Sequence, residues 1–226
     1  MPPLRRHQLA HLSGAGWSEV LRRPWDAVAL DCLRHWANRR LPLVVTRQPA
    51  ATVQGSALVA LGLPAPPAWE RRRIALQLPH AAIAWLDEFP AVAEALRLFR
   101  GDERRALKSL MDDLAALGAT ARVYGSCGWQ LVSGHRCLHA RSDLDLWLAV
   151  DGDAHADAVA ARLQANSPSP PRIDGELVFV DGAAVSWREW AAWRAARTRG
   201  LLVKRLRATT IEHQCVAHEP EEARAA

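Results

Sequence analysis

The sequence contains few cysteines, four in 226 residues, and none of them forms a CxxC pair. No cluster of Cys and His has zinc-finger spacing, which argues against a structural metal site. Charged residues interrupt every apolar run before it could span a bilayer, and no continuous apolar segment follows the first arginines. These absences predict a soluble protein of the reducing cytoplasm, without a secretory signal. Its cysteines are then expected to be buried thiols rather than disulfides: Cys32, Cys127, Cys137 and Cys215.

Glycine and proline number 13 and 14 residues, far too few for collagen-like or low-complexity sequence. Basic residues outnumber acidic ones by 29 to 24. Residues 1–99 carry 12 basic and 7 acidic groups, so residues 100–226 carry 29 − 12 = 17 and 24 − 7 = 17. The excess in the first half favours an anionic partner such as a nucleotide, a nucleic acid or an acidic protein, without choosing among them.

Apolar periodicity predicts an α+β protein with two parts. Helices are predicted at 26–40, 80–99, 103–117, 154–164 and 187–197. Strands are predicted at 41–46, 57–61, 74–78, 122–124, 142–150 and 172–180. The simplest division is a smaller N-terminal α+β domain at 1–90 and a C-terminal α+β domain at 91–226.

An acidic pair stands out on the strand predicted at 142–150. Alternation places Asp143, Asp145 and Trp147 on one face and the leucines between them on the other. Neighbouring carboxylates repel each other, and a hard cation such as Mg²⁺ relieves that repulsion while leaving positions for phosphate oxygens. The alternative is an exposed edge strand whose polar face is merely acidic.

Two companion features strengthen the catalytic interpretation. Gly125 and Ser126 form a turn after a short apolar strand, and Trp129 can open a helix there, which is a suitable arrangement for phosphate. On the next predicted strand, Asp174 and Glu176 share a face, and Asp174 is the preferred third carboxylate, with Glu176 as the substitute. A Gly-Ser turn followed 17 positions later by an acidic pair is much rarer than either feature alone.

This pattern resembles the nucleotidyltransferase superfamily, which includes DNA polymerase β and the aminoglycoside nucleotidyltransferases. Four stretches narrow the resemblance to the phosphoribosyl-dephospho-CoA transferases of malonate decarboxylase, also called holo-acyl-carrier-protein synthases. They are RVYGSCGWQLVSGHRCLHARSDLDLWL, RIDGELVFVDGAAVSWREW, LLVKR and LGLPAPPAWERRRIAL. The resemblance extends from the leading helix to about Arg207. One departure is the long spacing between the Gly-Ser turn and the acidic pair, which predicts an enlarged loop at GHRCLHAR.

The resemblance implies a mixed β-sheet flanked by helices in the C-terminal domain, and a transferase reaction. Such an enzyme moves the phosphoribosyl-dephospho-CoA group of a triphosphoribosyl-dephospho-CoA onto a serine of the apo acyl-carrier subunit and releases pyrophosphate. Carried over to this chain, Asp143 and Asp145 hold Mg²⁺, and Asp174 completes the metal site. Gly125 and Ser126 bind the leaving phosphates.

Residues 188–207 hold seven basic groups and one acid, which either contact the triphosphate or an acidic carrier domain, or form a solvated face. Arg188 and Lys204 are the preferred phosphate contacts because they lie in the resembling stretches. The basic loop at 69–73 either grips the CoA diphosphate or the carrier, or is an ordinary surface turn. Two other functions stay open: a nucleotidyltransferase acting on RNA or a small molecule, and a non-catalytic nucleotide-binding module. Nucleic acid is the less favoured partner, and no membrane role is expected.

Overall fold

The computed structural model describes residues 4–49, 58–166 and 171–213. The first half of the chain builds a five-stranded antiparallel sheet with two helices against it. In chain order its elements are β1 (Leu9–Leu12), α1 (Gly14–Leu21), α2 (Ala27–Asn38), β2 (Leu43–Val45), β3 (Leu58–Pro64), β4 (Arg73–Pro79) and β5 (Ile83–Asp87). The strand order is β4-β3-β2-β1-β5. Helix α2 begins as predicted, because the Asp26 carboxylate accepts hydrogen bonds from the first backbone N–H groups.

The second half builds a six-stranded mixed sheet in the order β11-β10-β9-β8-β7-β6. Its elements are α3 (Val92–Ala95), α4 (Gly101–Ala116), β6 (Thr120–Val123), α5 (Gly125–Ser133), β7 (Leu144–Val150), α6 (Asp153–Asn166), β8 (Ile173–Phe179), β9 (Ala184–Ser186), α7 (Trp187–Arg194), β10 (Gly200–Lys204) and β11 (Thr209–His213). Only β7 and β8 pair in parallel among the described strands of this sheet. The α+β class, with a mixed sheet in the larger half, is confirmed.

The prediction of one helix over residues 80–99 is wrong. This segment contains a 3-10 turn at His80–Ala82, strand β5, the short helix α3 and a second 3-10 turn at Leu96–Leu98. Strand β5 pairs antiparallel with β1, more than 70 positions earlier in the chain. That non-local pairing overrides the local preference for helix, and Pro90, which follows the end of β5, would interrupt a helix through this segment.

The two halves pack against each other rather than standing apart. Trp129 of α5 lies among the buried side chains of the first half and meets Phe89 edge to face, with ring centroids 5.5 Å apart. Across the same junction the backbone N–H of Gln48 donates to the carbonyl of Leu206 at 2.7 Å. Within the described residues, no helix combines the length and the apolar character needed to cross a membrane.

The described cysteines, Cys32, Cys127 and Cys137, are free thiols, and the first two are buried. Burial raises the pKa of both buried thiols to about 12, so they are protonated at neutral pH. Cys215, the first residue of the strand predicted at 57–61, and the end of the chain lie outside the described residues.

Candidate active site

The turn predicted to bind phosphate is the first turn of α5. This helix begins at Gly125, four residues before the predicted start at Trp129. As at any helix start, the backbone N–H groups of the first turn have no hydrogen-bond acceptors within the helix. Gly125 has a φ of +55°, and a Cβ built there would lie 1.8 Å from Oδ2 of Asp145. Only glycine allows this turn and the carboxylate to lie so close together.

Parallel pairing of β7 and β8 places Asp145 directly opposite Asp174 in the sheet register. The β7 leucines are buried and its polar residues are half-buried, as the predicted alternation requires. Gly175 permits the close approach of the two strands, because its φ is +142° and a Cβ there would lie 2.0 Å from the carbonyl oxygen of Leu146. The backbone therefore holds the two carboxylates side by side near the start of α5.

Asp145 is a half-buried carboxylate with a raised pKa. Burial, followed by the negative charges of Asp174, Asp143 and Glu176, raises its pKa from 3.8 to about 6. Among the described residues, no donor makes a hydrogen bond to its side chain. The carboxylate therefore carries unrelieved repulsion, which a cation would remove.

Asp143 lies just before β7 and is differently engaged. The guanidinium of Arg172 donates to both of its carboxylate oxygens. This pairing lowers the pKa of Asp143, so it is ionised at neutral pH. Asp143 lines a neighbouring hollow with Arg172 and His139, and His139 also lines the cavity that contains Asp145.

Glu176 is occupied by ion pairs. Its carboxylate is buried and lies within 3.3 Å of Arg6, 3.2 Å of His7 and 2.8 Å of Lys204. Burial alone would raise its pKa, but the His7 hydrogen bond, the Arg6 charge and the Lys204 hydrogen bond outweigh that effect and hold the pKa well below its usual range. Glu176 thus ties the start of the chain to the second sheet.

Each of the two basic residues proposed as phosphate contacts already has a partner in the protein. Lys204 donates to Glu176. Arg188 donates to the carbonyl oxygen of Ile173 at 2.8 Å, and its guanidinium lies 4.2 Å from the centroid of the Trp187 ring. Arg188 is close enough to Asp143 to help lower its pKa. Both contacts with phosphate stay predictions.

A cavity of about 450 Å³ joins the two halves of the chain at this point. Tyr124, Gly125, Ser126 and Asp145 line it from the second half. From the first half it is lined by His7 and by residues of the segment that joins β3 to β4, including Pro66, Arg71 and Arg73. Gly125, Ser126 and Asp145 therefore line one space, whereas Asp143 lines the adjacent hollow.

No three His, Cys, Asp or Glu side chains in the described ranges are arranged as a ready-made metal cage. The carboxylate oxygens of Asp145 and Asp174 nevertheless suit Mg²⁺, because they lie side by side. In addition, no described residue donates a hydrogen bond to the side chain of Asp145. Two protein carboxylates are a usual complement for this ion when phosphate oxygens and water fill its other positions. The metal site stays a prediction.

Some residues of the cavity could not be found from local patterns. His7 lines the cavity and, with Arg6 beside it, reaches Glu176 from about 170 positions away. No spacing in the sequence signals that contact. His139 comes from the loop predicted at GHRCLHAR, and the segment from Gly134 to Asp143 indeed contains no helix or strand. The long spacing that predicts this loop is the feature of the sequence that points to the segment carrying His139.

Both halves of the chain match models of one known protein family. A family model described as the phosphoribosyl-dephospho-CoA transferase MdcG C-terminal domain matches residues 91–214, and the model of the N-terminal domain matches residues 5–89. The chain belongs to this transferase family. The two models together span both sheets and the cavity between them.

Individual relatives agree with the family models. A phosphoribosyl-dephospho-CoA transferase of Bradyrhizobium diazoefficiens is 35% identical over 189 residues, covering 83% of this chain and 82% of the relative. One from Xanthomonas campestris pv. campestris is 37% identical over 187 residues, covering 82% and 85%. No solved structure matches the chain. The resemblance to the phosphoribosyl-dephospho-CoA transferases, identified from the motifs, is therefore confirmed.

Proposed function

We propose that this protein transfers the phosphoribosyl-dephospho-CoA group from 2'-(5''-triphosphoribosyl)-3'-dephospho-CoA to a serine of the apo acyl-carrier subunit of malonate decarboxylase, with release of pyrophosphate. The observation that carries the proposal is the shared cavity, in which the first turn of α5 touches Asp145. Asp174 lies beside Asp145 in the register of β7 and β8. Membership of the transferase family gives the transferred group. The carrier subunit and pyrophosphate release are our assignments.

The start of α5 binds the two phosphates that leave. Its backbone N–H groups, together with the hydroxyl of Ser126, donate to phosphate oxygens, and the helix dipole favours negative charge there. Because Gly125 has no side chain, the leaving phosphates and Asp145 occupy neighbouring positions. Donors fixed before the reaction need no rearrangement as charge develops on the leaving oxygen.

The acceptor serine hydroxyl attacks the phosphorus attached to the ribose, and the bond from that phosphorus to the pyrophosphate oxygen breaks. Pyrophosphate leaves with the electron pair of that bond. Asp174 accepts the proton of the hydroxyl, because it adjoins Asp145 in the register and one of its oxygens makes no hydrogen bond within the described residues. This chain then supplies no nucleophile of its own.

Mg²⁺ is the cation we assign to Asp145 and Asp174, with Asp143 reaching it from the adjacent hollow if Arg172 releases it. When bound, it would neutralise phosphate charge during transfer. The protein itself holds the carboxylates in place through the parallel pairing of β7 and β8. Burial of Asp145 strengthens its preference for a cationic partner.

The first half of the chain, residues 1–90, we assign to docking of the donor or the carrier, since its side chains form the far wall of the cavity. We place the reaction in the cytoplasm. A reducing compartment would keep the described cysteines as the free thiols observed here.

Pyrophosphate release tests this proposal. Wild-type protein, Mg²⁺, the triphosphoribosyl donor and the apo carrier are mixed, and pyrophosphate is measured with an enzyme-coupled assay. Release is expected only when donor and carrier are both present, and it should stop when the acceptor serine of the carrier is replaced by alanine. Release that is independent of the carrier would refute carrier modification and point to hydrolysis or another acceptor.

A further inference from the structure

Three consecutive arginines, Arg71 to Arg73, lie where the loop after β3 runs into β4. Arg71 and Arg73 line the same space as Gly125, Ser126 and Asp145, while Arg72 does not. Arg71 and Arg73 are exposed, and Arg72 is half-buried. The three side chains therefore differ in direction although they are consecutive in the chain.

Their charges are compensated differently as well. Arg72 pairs with Asp26 at 2.6 Å and with Glu70 at 3.1 Å. Neither Arg71 nor Arg73 makes an ion pair or a side-chain hydrogen bond with any described residue. Two positive charges thus point toward the cavity without a counterion from the protein.

The loop backbone holds Arg71 in a sparsely populated conformation. Glu70 and Arg71 have φ values of +55° and +53°, in the left-handed region that residues with a Cβ seldom adopt. Surrounding contacts fix this turn: the N–H of Arg71 donates to the Pro66 carbonyl at 3.3 Å, and the buried Trp69 donates to Asp31 at 2.7 Å. Backbone strain that the fold maintains in this way is typical of ligand clamps.

Strand pairing fixes the position of Arg73. It is the first residue of β4 and lies opposite Pro64 of β3, which lines the same cavity. Arg73 is therefore held in place by a regular strand pair, and Arg71 by a rigid turn. Both arginines face the N-terminus of α5 from the other half of the chain.

We infer that Arg71 and Arg73 form a polyphosphate-binding wall that closes the donor site from the N-terminal half. Guanidinium groups suit phosphate because their planar donors match two of its oxygens at once. The wall and the start of α5 would then hold one anionic donor between them, so donor binding needs both halves of the chain. The identity of this donor rests on the proposed function. Polyphosphate binding by Arg71 and Arg73 is inferred from the structure alone.

Calorimetry on the full chain tests the wall without any turnover. The titrants are inorganic tripolyphosphate and dephospho-CoA, which carry the two kinds of phosphate found in the donor. The variants are Arg71→Gln, Arg73→Gln and the double variant, with Arg72→Gln as the matched control on the same loop. Thermal unfolding and circular dichroism establish that each variant folds, and Arg73→Gln on the regular strand serves if the turn at Arg71 is disturbed.

The expected result is at least a tenfold weaker affinity for each single variant and a larger loss for the double variant, because each loses charged hydrogen bonds. Arg72→Gln should change the affinity less than twofold. Loss toward tripolyphosphate places the wall at the triphosphate end, and loss toward dephospho-CoA alone places it at the diphosphate bridge. The inference is overturned if the double variant binds both titrants within twofold of wild type, or if Arg72→Gln weakens binding equally. A wild type that binds these titrants but transfers nothing would refute the proposed function alone.

Discussion

Replacement of Asp145 by asparagine is expected to stabilise the folded protein while it abolishes transfer. Asp145 is half-buried among like charges, and no donor in the described part of the chain makes a hydrogen bond to its side chain. Asparagine has nearly the same shape but no charge, so it removes the repulsion without opening a cavity. A residue kept at a cost to stability is expected where function needs its charge.

The magnitude follows from the pKa of Asp145, which is raised from 3.8 to about 6. A carboxyl with a raised pKa binds its proton more tightly in the folded state, so its ionisation penalises folding between these two values and fully above the higher one. The difference corresponds to about 3 kcal/mol as an upper bound. Because the carboxylate is partly exposed, we expect the free energy of unfolding of Asp145→Asn to exceed that of the wild type by about 1–3 kcal/mol near pH 8. Near pH 4 the gain should fall to about 0.5 kcal/mol or less.

Urea unfolding of the wild type and of Asp145→Asn at both pH values measures this gain. Asp143→Asn is the matched control, because the pKa of Asp143 is lowered by its hydrogen bonds with Arg172. That variant should lose stability near pH 8 rather than gain it. The reasoning would be refuted if Asp145→Asn were less stable than wild type near pH 8, or if its gain were the same at both pH values.

Further predictions concern the contacts that support the site. Glu176→Gln leaves Arg6 and Lys204 without their counterion and weakens the hydrogen bond with His7, so urea unfolding should show a loss of about 3–5 kcal/mol. Glu88→Gln, which breaks a surface pair with Arg5, should lose about 1 kcal/mol or less. Because the pKa of Glu176 is held below its ordinary value of 4.5, this contribution is present above that pH and is lost as the pH falls toward the folded-state pKa. Gly175→Ala forces a Cβ against the carbonyl of Leu146 and should lower stability by about 3 kcal/mol or more. Gly182→Ala, with open space around it, should cost clearly less. A loss for Glu176→Gln no greater than that for Glu88→Gln, or equal losses for the two glycine variants, would contradict these assignments.

Local patterns sufficed where an element depends on its own residues. The alternation of β7 predicted which side of the strand carries Asp145, and the buried leucines confirm it. Helix α2 follows its Asp26 cap and its apolar spacing. The same patterns identified Gly125 and Asp145 as neighbours of one site, and the structure brings them into contact.

Elements and contacts that depend on distant residues could not be predicted. Strand β5 exists because β1 offers a free edge, and the apolar run at 80–99 alone read as helix. Glu176 was a candidate metal ligand by its position on β8, but its charge is met by Arg6, His7 and Lys204. These partners come from the two ends of the chain, so only the folded structure shows the pairing.

The intact mass of the apo carrier tests the central claim most directly. After incubation with the donor, Mg²⁺ and wild-type protein, the carrier should gain the mass of one phosphoribosyl-dephospho-CoA group at its acceptor serine. Asp145→Asn, which is expected to be folded and more stable, should leave the carrier mass unchanged. A carrier modified equally well by that variant would show that the cavity at Gly125 and Asp145 is not the place of transfer.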